Sequence, residues 1–538
     1  MQVKYLLNNQ EKITDKSNED LLFVYDEKKE DHIIKVVAKK EIRLLKAVIE
    51  EDFEVVNDDL YFLNGYQSWT DTHLIKPGKY KEINLRSKAP GFMFKILPVH
   101  QYGDSNFYKY GRNKLHSYDI FYSQGNNEVF ILSNNYKNAF LIIEILKKDN
   151  KLNLISDCEN VLLKEQEEFT LFDYVRFNSY EEGRQYFEKK YPLRNIEKIF
   201  GYTSWYNYYQ NINEEIILRD LDALDSRFNM FQIDDGYETF VGDWKDIDPK
   251  KFPNGLKGIV EKIHNKGHKA GIWLAPFVAE EKSRLFKEKP EFFKKDKKGN
   301  PIKVGINWSG QYLLDIENEE VVKYIKDSLQ YFIDLGFDLF KLDFLYSLND
   351  ADYDISRAQI TQKGYELLKE ILKGKMILGC GATLFNCIDN FDYLRIGMDV
   401  SLSFDDAWWM HGLHRERPTT KATLQNTIFR SFMNQRLFAN DPDVFLLRDE
   451  NIKLSKEQKR AMTTIDALFG SVLMTSDDIA TYDEDAKKVL DHALNIFKDA
   501  TDKKYEVNGD LIHISYKLNG KDYSFDYSIK KGVILNER

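Results

Sequence analysis

The stretch Phe337-Asp338-Leu339-Phe340-Lys341-Leu342-Asp343-Phe344-Leu345-Tyr346 begins as a short apolar run and then carries a lysine and an aspartate two residues apart. It follows an amphipathic segment ending at Gly336, which reads as a helix stopped by glycine and then a buried parallel strand. Side chains alternate along a strand, so Lys341 and Asp343 lie on the same side. Charged groups beside an apolar core need partners or work to do. A carboxylate kept ionised by a neighbouring cation is suited to attack an electrophilic carbon. The plainer alternative is an ion pair capping a strand.

Working outward, the same arrangement recurs from about residue 198. Ile199-Phe200-Gly201-Tyr202 runs into Ser204-Trp205-Tyr206-Asn207, and Met230-Phe231-Gln232-Ile233 into Asp234-Asp235-Gly236-Tyr237. Ala270-Gly271-Ile272-Trp273-Leu274, Met376-Ile377-Leu378, Tyr393-Leu394-Arg395-Ile396, Phe438-Ala439-Asn440 and Val472-Leu473-Met474 complete, with the opening stretch, a set of eight. Amphipathic segments at 214–227, 256–266, 319–335 and 356–372 lie between them. Eight strand–helix units predict a (β/α)8 TIM barrel with its function-bearing residues at the strand C-termini. A doubly wound sheet is disfavoured because no glycine-rich phosphate loop follows any strand. The long connection 277–336, with its lysine-rich run at 287–298, reads as an excursion over the barrel mouth.

Residues 1–192 alternate in short apolar runs separated by polar turns, predicting an N-terminal antiparallel β-sandwich domain. The barrel is assigned to 193–480. Residues 481–538 end in a hairpin turned by Asn519-Gly520, predicting a small C-terminal antiparallel β-domain. A chain of 538 residues is too long for one core, in keeping with three domains. The net charge of −10 argues against a nucleic-acid partner. Cys158, Cys380 and Cys387 form no metal or disulfide framework, no secretory or membrane segment is evident, and a cytoplasmic location is expected. Aromatics make up 14% of the chain, and Tyr and Trp commonly stack on sugar rings.

Two carboxylates each follow a strand and have a cation shortly before them: Asp343 with Lys341, and Asp399 with Arg395. Asp234-Asp235 place adjacent acids on a turn, able to accept several hydroxyl protons. A divalent metal is the other use of such a pair, but no histidine cluster or DxDxD pattern accompanies it, and no metal or cofactor is assigned. Paired carboxylates over a sugar-sized cleft imply glycoside hydrolysis, one acid a nucleophile and the other a general acid/base. Spacing alone does not say which is which.

Lys341-Leu342-Asp343-Phe344, Arg395-Ile396-Gly397-Met398-Asp399-Val400 and Phe231-Gln232-Ile233-Asp234-Asp235-Gly236-Tyr237 together resemble glycoside hydrolase family 36, the melibiase-type α-galactosidases. Gly271-Ile272-Trp273-Leu274-Ala275-Pro276-Phe277, Gly242-Asp243-Trp244, Cys380-Gly381-Ala382 and Asn440-Asp441-Pro442-Asp443 agree in order. The resemblance implies a retaining α-galactosidase acting on small oligosaccharides such as melibiose or raffinose, with Asp343 as nucleophile and Asp399 as acid/base. It further implies that Lys341, Arg395, Asp234 and Asp235 bind sugar hydroxyls, that Trp69, Trp205 and Trp273 wall the pocket, and that Cys380 sits near the 2-position. Retention needs the carboxyls about 5–5.5 Å apart. An acid/base must begin protonated, so Asp399 is expected to be buried, with Arg395 aimed at the sugar and away from it. Tyr237 departs from the commoner Trp, and Ser401 to Trp409 lack the expected Pro-aromatic-Trp spacing. Those departures bear on the aglycone preference more than on the chemistry, and a pocket altered near Cys380 would accept a 2-acetamido group. The alternatives are an α-N-acetylgalactosaminidase or a transglycosidase of the same chemistry, or a catalytically silent carbohydrate-binding protein. Oligomeric state is not assigned.

Overall fold

The computed structural model describes residues 1–80, 103–104, 107–407 and 418–538. Trp408 and Trp409 of the loop singled out above lie outside the described residues.

Two antiparallel sheets, each of seven strands among the described residues, form the amino-terminal part. One is built around Ile42–Asp52 and Lys151–Ser156, the other around Asp31–Ala38 and Glu168–Phe177. In Asp31–Ala38 the residues Ile34, Val36 and Ala38 are buried while their neighbours are only half covered, the period-two pattern of a strand with one face on a core. Val36 and Phe172 from one sheet meet Leu44, Ile143 and Leu154 from the other in a single apolar layer, so the unit is a sandwich.

The barrel strands are β1 (Ile199–Thr203), β2 (Met230–Ile233), β3 (Lys269–Leu274), β4 (Leu339–Leu342), β5 (Met376–Gly379), β6 (Tyr393–Arg395), β7 (Ala439–Asp441, resuming as Val444–Phe445) and β8 (Val472–Thr475). All pair in parallel, in the order β7-β6-β5-β4-β3-β2-β1-β8-β7. Closure runs through β7, whose first half pairs with β6 and whose second half pairs with β8. Pro442 sits at the break, where a residue without an N–H cannot continue a ladder. The eight strand positions expected from the alternation are the eight found.

Helix Glu319–Leu335 shows how the sequence times these units. Asn318 caps its first turn through Glu320 N–H, and Gly336, at φ 99°, ends it in the left-handed region that glycine tolerates. The chain then enters β4. The connection after β3 carries a three-stranded sheet, Val278–Glu280, Gln311–Leu313 and Lys303–Gly305, which brings Asn307 and Trp308 to the barrel mouth. Helix Glu484–Asp499 packs beside helix Lys456–Phe469. A four-stranded antiparallel sheet of Thr501–Asn508, Leu511–Leu518, Lys521–Ser528 and Val533–Leu535 follows, its central hairpin turned at Asn519 (φ 52°) and Gly520 (φ 76°). Among the described residues no helix is long and apolar enough to cross a membrane.

The sandwich is latched to the barrel by the loop Gln67-Ser68-Trp69-Thr70. Ser68 N–H donates to Ala382 O at 2.9 Å, and Ala382 N–H returns a bond to Ser68 Oγ at 2.7 Å. The buried Arg430 donates to Ser68 O (2.9 Å), Thr70 O (3.0 Å) and Ile396 O (2.7 Å), joining loop and barrel through one guanidinium. Arg430→Met takes the guanidinium donor from three buried carbonyls, of which Thr70 O alone keeps a second donor in Asn426 Nδ2, so unfolding stability should fall by about 3 kcal/mol or more. Urea titration measures this, and a loss under about 1 kcal/mol would contradict the role given to Arg430.

Candidate active site

The C-terminal ends of the barrel strands surround a cavity of about 300 Å³. That is the small end of the range for ligand sites, suited to one sugar ring with a short extension. Trp69, Trp205, Trp273 and Trp308 form its walls, and Asp234, Asp235, Lys341, Asp343 and Asp399 face into it. Eight of the ten residues anticipated from sequence are thus gathered around one hollow. Arg395 and Cys380, buried to 3% and 1% exposure, stand behind the wall.

Asp343 directly follows β4. Trp273 Nε1–H donates to its Oδ2 at 3.0 Å, and Phe344 N–H to its Oδ1 at 2.7 Å. Burial pushes its acidity above the usual carboxylate range. Lys341 and the Trp273 donor pull the other way, and the negative charge of Asp399 adds to the rise. Phe344 adopts a left-handed φ of 55° and lies edge-on to Trp69 and at 66° to Trp308, both at 5.3 Å. A non-glycine residue held there marks a backbone over-determined by its surroundings.

Lys341 does not bond Asp343, its neighbour two residues on. Its Nζ donates to Asp234 Oδ2 at 2.8 Å, across to β2. Burial disfavours the ammonium, but the Asp234 charge outweighs it and Lys341 stays more basic than usual. The same oxygen of Asp234 accepts from Gln232 Nε2 (2.8 Å) and Thr203 Oγ1 (3.2 Å), while Ser204 Oγ accepts the Asp234 N–H (2.9 Å). Asp235 accepts from Trp308 Nε1–H at 2.9 Å and from Gln210 Nε2 at 3.1 Å. Burial raises both Asp235 and the buried Glu238 beside it; the charge of Asp235 adds to the rise and holds Glu238 well above the carboxylate range, whereas a hydrogen bond with Glu238 pulls Asp235 back. The acid pair is therefore clamped, each member by a different set of donors.

The expectation that Arg395 points away from Asp399 is not met. Arg395 Nη1 donates to Asp399 Oδ1 at 3.1 Å, its Nε to Asp441 Oδ2 at 3.1 Å, and Nη2 lies 2.8 Å from Asp443 Oδ1. A buried guanidinium satisfies its fixed fork with carboxylates where it can, and β7 supplies two of them opposite β6. Nor is Asp399 buried, for its side chain is 46% exposed.

Sequence reasoning missed Gln210, Glu238, Asn307 and Met398, and noted Trp308 only as part of the excursion. Gln210 and Asn307 come from irregular connections whose final position no periodicity encodes. Tyr237, the residue at the Trp position, is fully buried and donates its hydroxyl to Trp273 O at 3.0 Å, bracing a wall of the cavity from behind.

Fold and cavity together define a (β/α)8-barrel protein with carboxylates gathered in an aromatic, hydroxyl-accepting pocket. The chain matches the Melibiase family model over residues 185–372. It is 30% identical over 154 residues to Alpha-xylosidase XylQ of Lactiplantibacillus pentosus, covering 27% of this chain and 20% of that protein. It is 29% identical over 145 residues to Alpha-galactosidase 1 of Pediococcus pentosaceus, covering 26% and 19%. The chain spans about a fifth of the length of these curated relatives. Its fold is similar to that of the α-galactosidase TtGalA from Thermus thermophilus, solved with p-nitrophenyl α-D-galactopyranoside, at a TM-score of 0.70 and 22% identity over 97% of this chain and 98% of that one.

Removing either partner of the Lys341–Asp234 pair strands a buried charge. Lys341→Met and Asp234→Asn should each cost about 3–5 kcal/mol. The double variant should cost less than their sum by at least about 1 kcal/mol, a coupling that denaturant unfolding of all four proteins reads directly.

Proposed function

We propose that this protein is a retaining α-galactosidase that removes terminal α-linked galactose from small oligosaccharides of the melibiose and raffinose type. The observation that carries the reading is that Asp343 and Asp399, from strands four and six, face one cavity walled by tryptophans. Asp343, steadied by two N–H donors, attacks the anomeric carbon as the bond to the leaving oxygen breaks, and a glycosyl ester forms. Asp399 delivers its proton to the departing oxygen. It then takes a proton from water as that water attacks the ester, which regenerates both carboxyls.

Asp234 and Asp235, side by side on the turn after β2, offer acceptors to two hydroxyls at the far end of the ring, which suits the axial 4-hydroxyl and the 6-hydroxyl of galactose. Lys341, tied to Asp234, adds a donor beside the nucleophile. Nothing in the step calls on a cofactor. The chain divides into three domains, 1–192, 193–480 and 481–538, the last opening with helix Glu484–Asp499, which packs against helix Lys456–Phe469 of the barrel. The buried, unpaired thiols of Cys158, Cys380 and Cys387 are in keeping with a reducing, cytoplasmic setting.

A panel of p-nitrophenyl α-glycosides tests the reading. The galactoside should turn over with the α-anomer of galactose released first. Turnover of the 2-acetamido sugar alone, or binding without turnover, would overturn it. Asp343→Ala should lower kcat on every substrate by at least about 10³-fold, whereas Asp399→Ala should harm raffinose far more than the activated aryl glycoside. Equal harm to both substrates would refute the acid role of Asp399. Trp273→Phe removes a donor to ionised Asp343, which favours the protonated form. The acidic limb of the pH–rate profile should therefore move to higher pH, and a shift the other way would contradict the assignment.

A further inference from the structure

Arg395 as found poses a difficulty for the reaction. A guanidinium bonded to a carboxyl favours its ionised form, the reverse of what a general acid needs. The answer lies in β7, at the break after Pro442. There Asp443 takes a left-handed φ of 86°, a conformation aspartate tolerates better than most side chains. The side chain has no solvent exposure and sits 2.8 Å from Arg395 Nη2. It accepts the hydroxyl of Tyr206, and it accepts the Val400 N–H at 2.8 Å, one residue beyond Asp399. Arg395 Nε meets Asp441 at 3.1 Å. One cation thus serves three carboxylates, of which only Asp399 faces the cavity. Asp441, and Asp443 in its ionised form, offset the guanidinium charge that Asp399 meets from behind.

We propose that Asp443 is a positioning residue of the reaction: it cancels the charge of Arg395 and ties down the Asp399–Val400 peptide, so that Asp399 keeps the proton it delivers. This rests on the reading of Asp399 as the general acid. The charged and titratable groups around Asp443 all bear on it. They are Arg395, Asp399 and Asp441 around the strand ends, Tyr206 from the short helix Trp205–Tyr208 after β1, and Asp466 from helix Lys456–Phe469. Burial pushes Asp443 up to about 7; Arg395 opposes this, and Asp399 and Asp441 add to it. Burial, with the charges of Asp443 and Asp441, also holds Asp466 well above the carboxylate range. Asp399 is the one member of this cluster that faces the cavity.

The test is the pH dependence of kcat/KM on raffinose, whose poor leaving group needs the acid. In Asp443→Asn the lost negative charge leaves Arg395 less compensated, and the alkaline limb should move about one unit toward lower pH. Asp443→Glu keeps the charge and should hold the limb within about 0.3 unit of the wild type, even at a reduced rate. A residue of purely structural importance would depress the rate equally at all pH values. An unmoved or alkaline-shifted limb in Asp443→Asn overturns the assignment. Should that variant fail to fold, Asp441→Asn removes an equal charge from the same guanidinium and must move the limb in the same direction; a fixed limb there overturns it equally. A wild-type protein inactive on every α-galactoside would instead sink the reading of the whole site, and this assignment with it.

Discussion

Buried charge must be compensated, and at the mouth of this barrel that requirement fixes nearly everything else. Two cations sit among the strand ends with almost no solvent, and each is matched by carboxylates: Lys341 by Asp234, and Arg395 by Asp441, Asp443 and, beyond the end of its own strand, Asp399. The pairs with Asp234, Asp441 and Asp443 cross between strands, so strand register and side-chain position are set together. The desolvation cost of any one of these ions is several kcal/mol, and the pairs are tolerable only because hydrogen bonds take up the remaining donors and lone pairs. Gln232, Thr203 and Ser204 do this for Asp234, and Tyr206 and Val400 do it for Asp443.

The same economy explains why the pocket is rigid before any ligand arrives. Trp273 and Trp308 each donate an indole N–H to a carboxylate, Asp343 and Asp235 respectively, while their rings form the wall. An indole held at both its polar and apolar ends has little rotamer freedom left, so a flat sugar face meets a surface already in place. Asp343 and Asp235 are held by fixed dipoles, an arrangement that stabilises charge without reorganisation.

Much of this was legible in the sequence, for identifiable reasons. The barrel strands announce themselves because each is a short apolar run ending in polar residues, a local signal. Asp343, Asp399 and the Asp234-Asp235 pair were visible because they follow those runs. The partners were not visible. That Lys341 reaches Asp234 and leaves Asp343 to Trp273 depends on pairing across β2, β3 and β4, which no spacing encodes. The motif at Asn440 to Asp443 could be seen but given no task, since its target Arg395 lies on a different strand, some forty-five residues earlier in the chain. Arg395 was misjudged for the same reason: judged against Asp399 alone it belonged elsewhere, and only with two more carboxylates in view does its position make sense.

Phe344 carries a consequence of its own. It follows Asp343 in a left-handed conformation, and its ring is gripped by Trp69 from the amino-terminal sandwich on one side and Trp308 from the excursion on the other. The backbone that aims the carboxylate is thus propped by pieces of chain lying far outside the eight-stranded cylinder. The cylinder is not a detachable cassette: excised from its neighbours, it would keep its acids in the sequence and lose the vice that points one of them.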